Sequence, residues 1–145
     1  MARVDFAIGA ADRVRQACQT TLRQFLAHQP LAVYCRDPRR LRAFDEQLWS
    51  VDDTAFVPHV MADSPLAPAT PVILVADGLE AALALRADPV WVLNLDDACP
   101  PSLDRVVRVL EIVSGDEEDK ALARARWKAY QAAGHEVHSH TMNTK

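Results

Sequence analysis

Apolar and polar positions along this chain alternate between the spacing of strands and that of helices. Val4 to Ile8 is a short apolar run broken only by Asp5, and it reads as a first strand. Ala11 to His28 follows with Val14, Cys18, Leu22, Phe25 and Leu26 at helical spacing, closed by Pro30. Leu31 to Cys35 is a continuous apolar strand of the buried type. Asp37 and Pro38 make a cap and first-turn pair for a helix running from Pro38 to Trp49. Its inward stripe is Leu41, Phe44 and Leu48, with Trp49 at the margin. Ser50 to Pro71 is studded with Pro58, Pro65, Pro68 and Pro71 and reads as a long surface connection, with room for one short extended piece.

Val72 to Val75 is a third buried strand, Leu79 to Leu85 a short alanine-rich helix, and Trp91 to Leu95 a fourth strand. Ser102 is placed to cap a turn of helix, and Val109 to Val113 looks extended. Asp116 to Gly134 is one helix with both ends marked. Asp116 caps it, Glu117, Glu118 and Asp119 complement the positive end of its dipole, and Gly134 suits a left-handed stop. His135 to Thr141 closes with a period-two pattern suited to an edge strand. This alternation predicts a single α/β domain of Rossmann-like plan, with a largely parallel central sheet and helices on both faces. No internal repeat or linker divides it.

The last helix carries the least expected pattern. Ala121, Leu122, Ala125, Ala129, Ala132 and Ala133 share one side, which predicts close packing of an alanine face on the sheet. The opposite side carries Lys120, Arg124, Trp127 and Gln131, with Lys128 at its edge. Two readings of that side stand. In one it is a solvated face, with Asp116 paired to Lys120 and Trp127 lying over a neighbouring loop. In the other, Lys120 and Arg124 receive carboxylates while Trp127 covers an apolar side chain, which fits an acidic peptide with a hydrophobic end. Trp49, Phe56 and Pro58 form a second candidate surface, or else a satellite cluster that pins down the long connection.

Composition narrows the function classes. The 145 residues are 50% hydrophobic and 25% charged, with a net charge of −4, so the molecule as a whole is not built to seek nucleic acid. Basic residues concentrate locally between Lys120 and Tyr130. Cys18, Cys35 and Cys99 are odd in number and lack any C-x-x-C pair, which fits a reducing cytoplasm. The N-terminal stretch lacks the apolar segment of a signal peptide, and no run is long enough to span a membrane. The expected location is cytoplasmic.

An α/β sheet invites an enzymatic alternative, a nucleotide- or metal-dependent phosphotransferase or nuclease. Such sites need glycines where the backbone approaches phosphate, and Gly9, Gly78, Gly115 and Gly134 are all isolated. Neither G-x-G-x-x-G nor G-x-x-x-x-G-K-[ST] occurs. Asp96 and Asp97 follow an apolar strand as Mg²⁺-holding acids do, but without a phosphate loop they serve better to open a loop. His135, His138 and His140 crowd one strand, yet no further ligand stands at a metal-site spacing. His59 lacks a visible nucleophile and reads as a hydrogen-bonded loop anchor. No cofactor, metal or catalytic residue is expected.

At these residues the chain resembles the chi subunit family of bacterial DNA polymerase III. The likeness begins at Val4-Asp5-Phe6 and Val33-Tyr34-Cys35-Arg36-Asp37, and continues through Asp45-Glu46-Gln47-Leu48-Trp49, Phe56-Val57-Pro58-His59 and Val92-Leu93-Asn94-Leu95. It ends at Ala123-Arg124-Ala125-Arg126-Trp127-Lys128-Ala129-Tyr130 and Gly134. The resemblance implies a non-catalytic clamp-loader accessory in DNA replication. It implies that Lys120, Arg124 and Trp127 bind the acidic C-terminal tail of single-stranded DNA-binding protein, with Val113 lining the pocket for the tail's terminal phenylalanine. It also implies that Trp49, Phe56 and Pro58 face the psi subunit of the clamp loader, or a helicase on the same face. Neither specific nucleic-acid binding nor a membrane partner is implied.

Overall fold

The computed structural model describes residues 1–142. One seven-stranded sheet runs through it, every strand parallel to its neighbours, in the order β3-β4-β2-β5-β6-β1-β7. The strands are β1 (Arg3–Ala10), β2 (Leu31–Tyr34), β3 (His59–Met61), β4 (Val72–Val75), β5 (Val90–Asn94), β6 (Val106–Ser114) and β7 (Glu136–Thr141). The helices are α1 (Arg13–Leu26), α2 (Pro38–Leu48), α3 (Leu79–Leu83) and α4 (Glu117–Ala132). The expected α/β plan is therefore present, with the sheet wholly parallel.

Connections that move toward β3 carry α1 and α2 on one face, where Cys18, Leu41, Phe44 and Leu48 pack on Val33, Leu74, Leu93 and Ile112. Connections that move toward β7 carry α3 and α4 on the other face, over Phe6, Ile73, Val92 and Val109. Opposite travel on opposite faces is what uniform crossover handedness requires.

Local signals hold at most boundaries. Asp37 accepts from the Arg39 and Arg40 amides ahead of Pro38, and Asp116 accepts from the Glu118 amide. Gly134 ends α4 at φ 86°. His28 takes the same left-handed role after α1 at φ 61°. The long connection contains β3 and a 3-10 turn at Ala67–Ala69. The helical turn expected at Ser102 is absent. Residues 95–105 form a loop instead, tied by Asn94 Nδ2 to Ala98 O and by Arg126 Nη1 to Asp97 O.

The orientation of α4 corrects the alanine-face expectation. Ala121, Ala125, Ala129, Ala132 and Ala133 are exposed, while Ala123, Arg126 and Tyr130 are buried. The cause lies on β6, where Glu111 is 1% exposed. Arg126 Nε (3.1 Å), Tyr130 Oη (2.6 Å) and Asn94 Nδ2 (2.8 Å) all donate to its carboxylate. A buried charge demands partners far more strongly than alanine methyls demand burial, so the helix turns its polar anchors inward. Burial pushes the Glu111 carboxyl up, and burial beside Glu111 pushes up the Tyr130 hydroxyl, which stays a donor.

Candidate functional site

The turn of α4 brings Trp127 closer to the core than its sequence neighbours suggest. Trp127 is half-buried, with its ring 5.1 Å from the buried Phe6 of β1; it does not face away from the core. Lys120, Arg124 and Trp127 follow one another at i, i+4 and i+7 along one flank of the helix. Lys120 Nζ pairs with Glu117 Oε1 at 3.1 Å, not with Asp116, whose carboxylate serves as the cap. Arg124 is exposed and has no ion pair among the described residues.

Beneath this flank the sheet register sets out two rows. Val113 of β6, Ile8 of β1 and Thr141 of β7 lie side by side, and the neighbouring row is Glu111, Phe6 and Ser139. Val113 is only 3% exposed, so it backs the surface, and the half-buried Ile8 next to it is the part that remains accessible. Ile8 was not singled out from sequence, because the register of β1 against β6 depends on a strand order the pattern does not reveal. Ile8 and Trp127 are both half-buried against the core on the face that α4 covers, and Arg124 and Lys120 stand about one and two turns before Trp127 on the helix. Apolar surface beside a free guanidinium suits one apolar side chain next to a carboxylate.

Trp49, Phe56 and Pro58 come together elsewhere, at the β3 edge. Trp49 is 51% exposed and Phe56 is 74% exposed, with ring centroids 6.2 Å apart in an edge-on arrangement. Asp52 shapes the loop before Phe56, accepting from the amides of Thr54 and Ala55. Buried Val57 anchors the loop while Pro58 stays outside. Trp49 rests on His59, with centroids 4.2 Å apart. His59 Nδ1 lies 2.7 Å from Val57 O and Nε2 lies 2.7 Å from Asp45 Oδ1, so the histidine anchors the loop. Two large aromatics left in water side by side are unlike scattered surface apolars.

The crevice where β1 and β6 send their chains to opposite faces is where α/β sheets usually receive ligands. Here an open crevice of about 280 Å³ is lined by the protein's own charges. Arg13 Nη2 donates to Asn94 O (3.2 Å) and Asp96 O (2.9 Å), and Nη1 lies 3.7 Å from both Asp97 and Asp119. Asp119 accepts from the Ser114 amide, and Asp116 and Glu118 complete an acidic rim at the start of α4. A phosphate would meet these carboxylates at the helix end that ordinarily attracts it.

Asp96 and Asp97 are engaged by arginines. Asp96 receives the Arg36 amide (2.8 Å) and guanidinium (2.8 Å), and Asp97 receives Arg40 (3.0 Å). Burial alone would raise the Asp96 carboxyl, but hydrogen bonds from Arg36 and the Ala98 amide hold it below its ordinary value. His138 lies 2.9 Å from Glu136, and His135 Nδ1 accepts from the Ala2 amide. Among the described residues no three His, Cys, Asp or Glu side chains gather as a metal set, and no helix is long and apolar enough to cross a membrane.

Residues 1–138 match the family model described as DNA polymerase III chi subunit, HolC. The chain is 27% identical over 146 aligned positions to the DNA polymerase III subunit chi of Pseudomonas aeruginosa, covering 98% of each. It is 24% identical over 124 positions to the subunit of that name in Escherichia coli, covering 86% of this chain and 82% of the other. The chain belongs to the DNA polymerase III chi subunit family.

Proposed function

We propose that this chain is a non-catalytic adaptor of the replication machinery, working in the cytoplasm without direct sequence-specific contact to nucleic acid. In this reading the α4 flank binds the acidic C-terminal tail of single-stranded DNA-binding protein. Arg124 holds the terminal carboxylate with its planar fork, Lys120 attracts the acidic residues before it, and Trp127 with Ile8 covers the final apolar side chain over Val113. The Trp49, Phe56 and Pro58 face binds the psi subunit of the clamp loader, or a helicase in its place.

The observation that carries the proposal is the separation of the two surfaces. Trp49 rests on β3 and Trp127 on β1, five strand positions apart, or about 24 Å at ordinary strand spacing. They also use opposite chemistries, one cationic and one apolar. A molecule so arranged can hold two partners at once without either displacing the other.

The test is sedimentation of the chain with psi subunit and with an acidic peptide ending in Pro-Phe, singly and together. A ternary complex, with peptide affinity unchanged by psi, is the expected result. Mutual exclusion of the two would refute the adaptor reading. Peptide binding should weaken as salt rises, because the cationic flank is partly exposed.

A further inference from the structure

The β3 edge carries a second feature beside the aromatic face. Past Met61, the ends of β3 and β4 and the start of α3 enclose a groove of about 390 Å³. Met61, Leu74, Ala81, Ala82 and Leu85 give it apolar walls. Asp63 and Asp77 stand on its rim, both exposed and neither in an ion pair among the described residues. No lysine or arginine lines it. A groove with this rim repels phosphate and acidic peptide, and suits a long side chain with an aliphatic stem and a cationic head.

The groove meets β3 at Met61, two residues past the His59 on which Trp49 rests. His59 and Met61 are alternate residues of β3, so their side chains share one side of the sheet, about 7 Å apart along the strand. β3 bonds only to β4, which leaves its outer edge open to a further strand.

We propose that the aromatic face and the groove form one docking surface for an extended protein segment. That segment carries an aromatic residue followed, about two to three positions later, by lysine or arginine. The proposal rests on reading the Trp49 face as a partner surface and adds the chemistry of the segment it takes. The aromatic residue lands on Trp49 and Phe56, the basic stem lies along Met61, and its charge meets Asp63 and Asp77. Charge then sorts the two partners: the α4 flank takes an acidic segment, the β3 edge a basic one, and neither fits the other's site.

The test uses two end-blocked peptides, Gly-Ser-Trp-Val-Lys-Thr-Ser-Gly and its counterpart with Glu for Lys, titrated into the full chain by NMR. The Lys peptide should bind about fivefold tighter or more, as expected for new ion pairs at a partly exposed site, and shift the Met61 and Asp77 amides along with the Trp49 indole. Asp63→Asn and Asp77→Asn combined should bring the two peptides to parity, in a chain whose thermal melt is unchanged. Trp49→Ala should weaken both peptides alike. Equal binding of the two peptides, still weakened by Trp49→Ala, would overturn the groove and leave the partner face standing. Binding that ignores Trp49→Ala would overturn the partner face itself, and no binding by either peptide would overturn the joint surface.

Discussion

Arg126 of α4 donates from Nε to Oε1 of Glu111 on β6 at 3.1 Å, with both side chains sealed from solvent. This contact decides which way the helix faces, and through it where Trp127, Arg124 and Lys120 stand. Arg13 lies 3.8 Å from the same carboxylate and cannot replace the lost hydrogen bond at that distance. Arg126→Ala should therefore cost about 3–5 kcal/mol, as expected when one member of a buried pair is removed. Urea unfolding reads the loss. Glu111→Gln combined with Arg126→Met should cost less than Arg126→Ala alone, and a double variant as costly as the sum of its parts would contradict the pairing.

Asp96 makes the fold acid-sensitive in a defined direction. Its carboxyl is held below the ordinary value in the folded state, so the stability it contributes is fully present above the unfolded value of about 4 and is lost as pH falls through the folded one. Asp96→Asn should be less stable than the unaltered chain at neutral pH and lose less stability on acidification. Parallel stability curves for the two chains, as pH falls from neutral to well below the unfolded value, would show that Asp96 does not titrate this way.

Trp127 has a packing role and a proposed binding role, and two substitutions separate them. Trp127→Ala removes the contact with Phe6 and should cost about 2 kcal/mol, less than a fully buried tryptophan would. Trp127→Phe should keep most of that stability. It should still weaken the tail peptide, because less aromatic surface covers the terminal side chain. Unaltered peptide affinity in Trp127→Phe would remove the indole from the site.

Phe56 should behave in the opposite way. At 74% exposure it contributes little to the fold, so Phe56→Ala should move stability by about 0.5 kcal/mol or less. Loss of psi binding should reach about 2 kcal/mol, the scale of an interface anchor. Titration with psi and a thermal melt of the same sample distinguish the two effects.

Particular residues show how far the sequence could be read. β2, β4 and β5 are buried on both faces, so they stand out as the unbroken runs LAVY, VILV and VWVLN. The ends of α4 were legible because Asp116 and Gly134 act locally. Its facing was not, because Arg126 and Glu111 are fifteen residues apart and each looks like surface until the other is placed. Trp49 and Phe56 were recognisable as aromatics at the end of a helix and in a proline-rich loop, but their exposure depends on His59 lying beneath. Ile8 and the Asp63–Asp77 groove emerge only from strand order, which periodicity does not encode.

The central claim is that Arg124 receives a terminal carboxylate, and calorimetric titration tests it most directly. An acidic peptide ending in Pro-Phe is compared as its free acid and as its C-terminal amide, against the unaltered chain and Arg124→Ala. The amide should bind more weakly to the unaltered chain, and Arg124→Ala should lose about 1.5–3 kcal/mol with the free acid, the range for a hydrogen bond to a charged group. In Arg124→Ala the two peptides should bind alike. Equal binding of acid and amide to the unaltered chain would contradict the account.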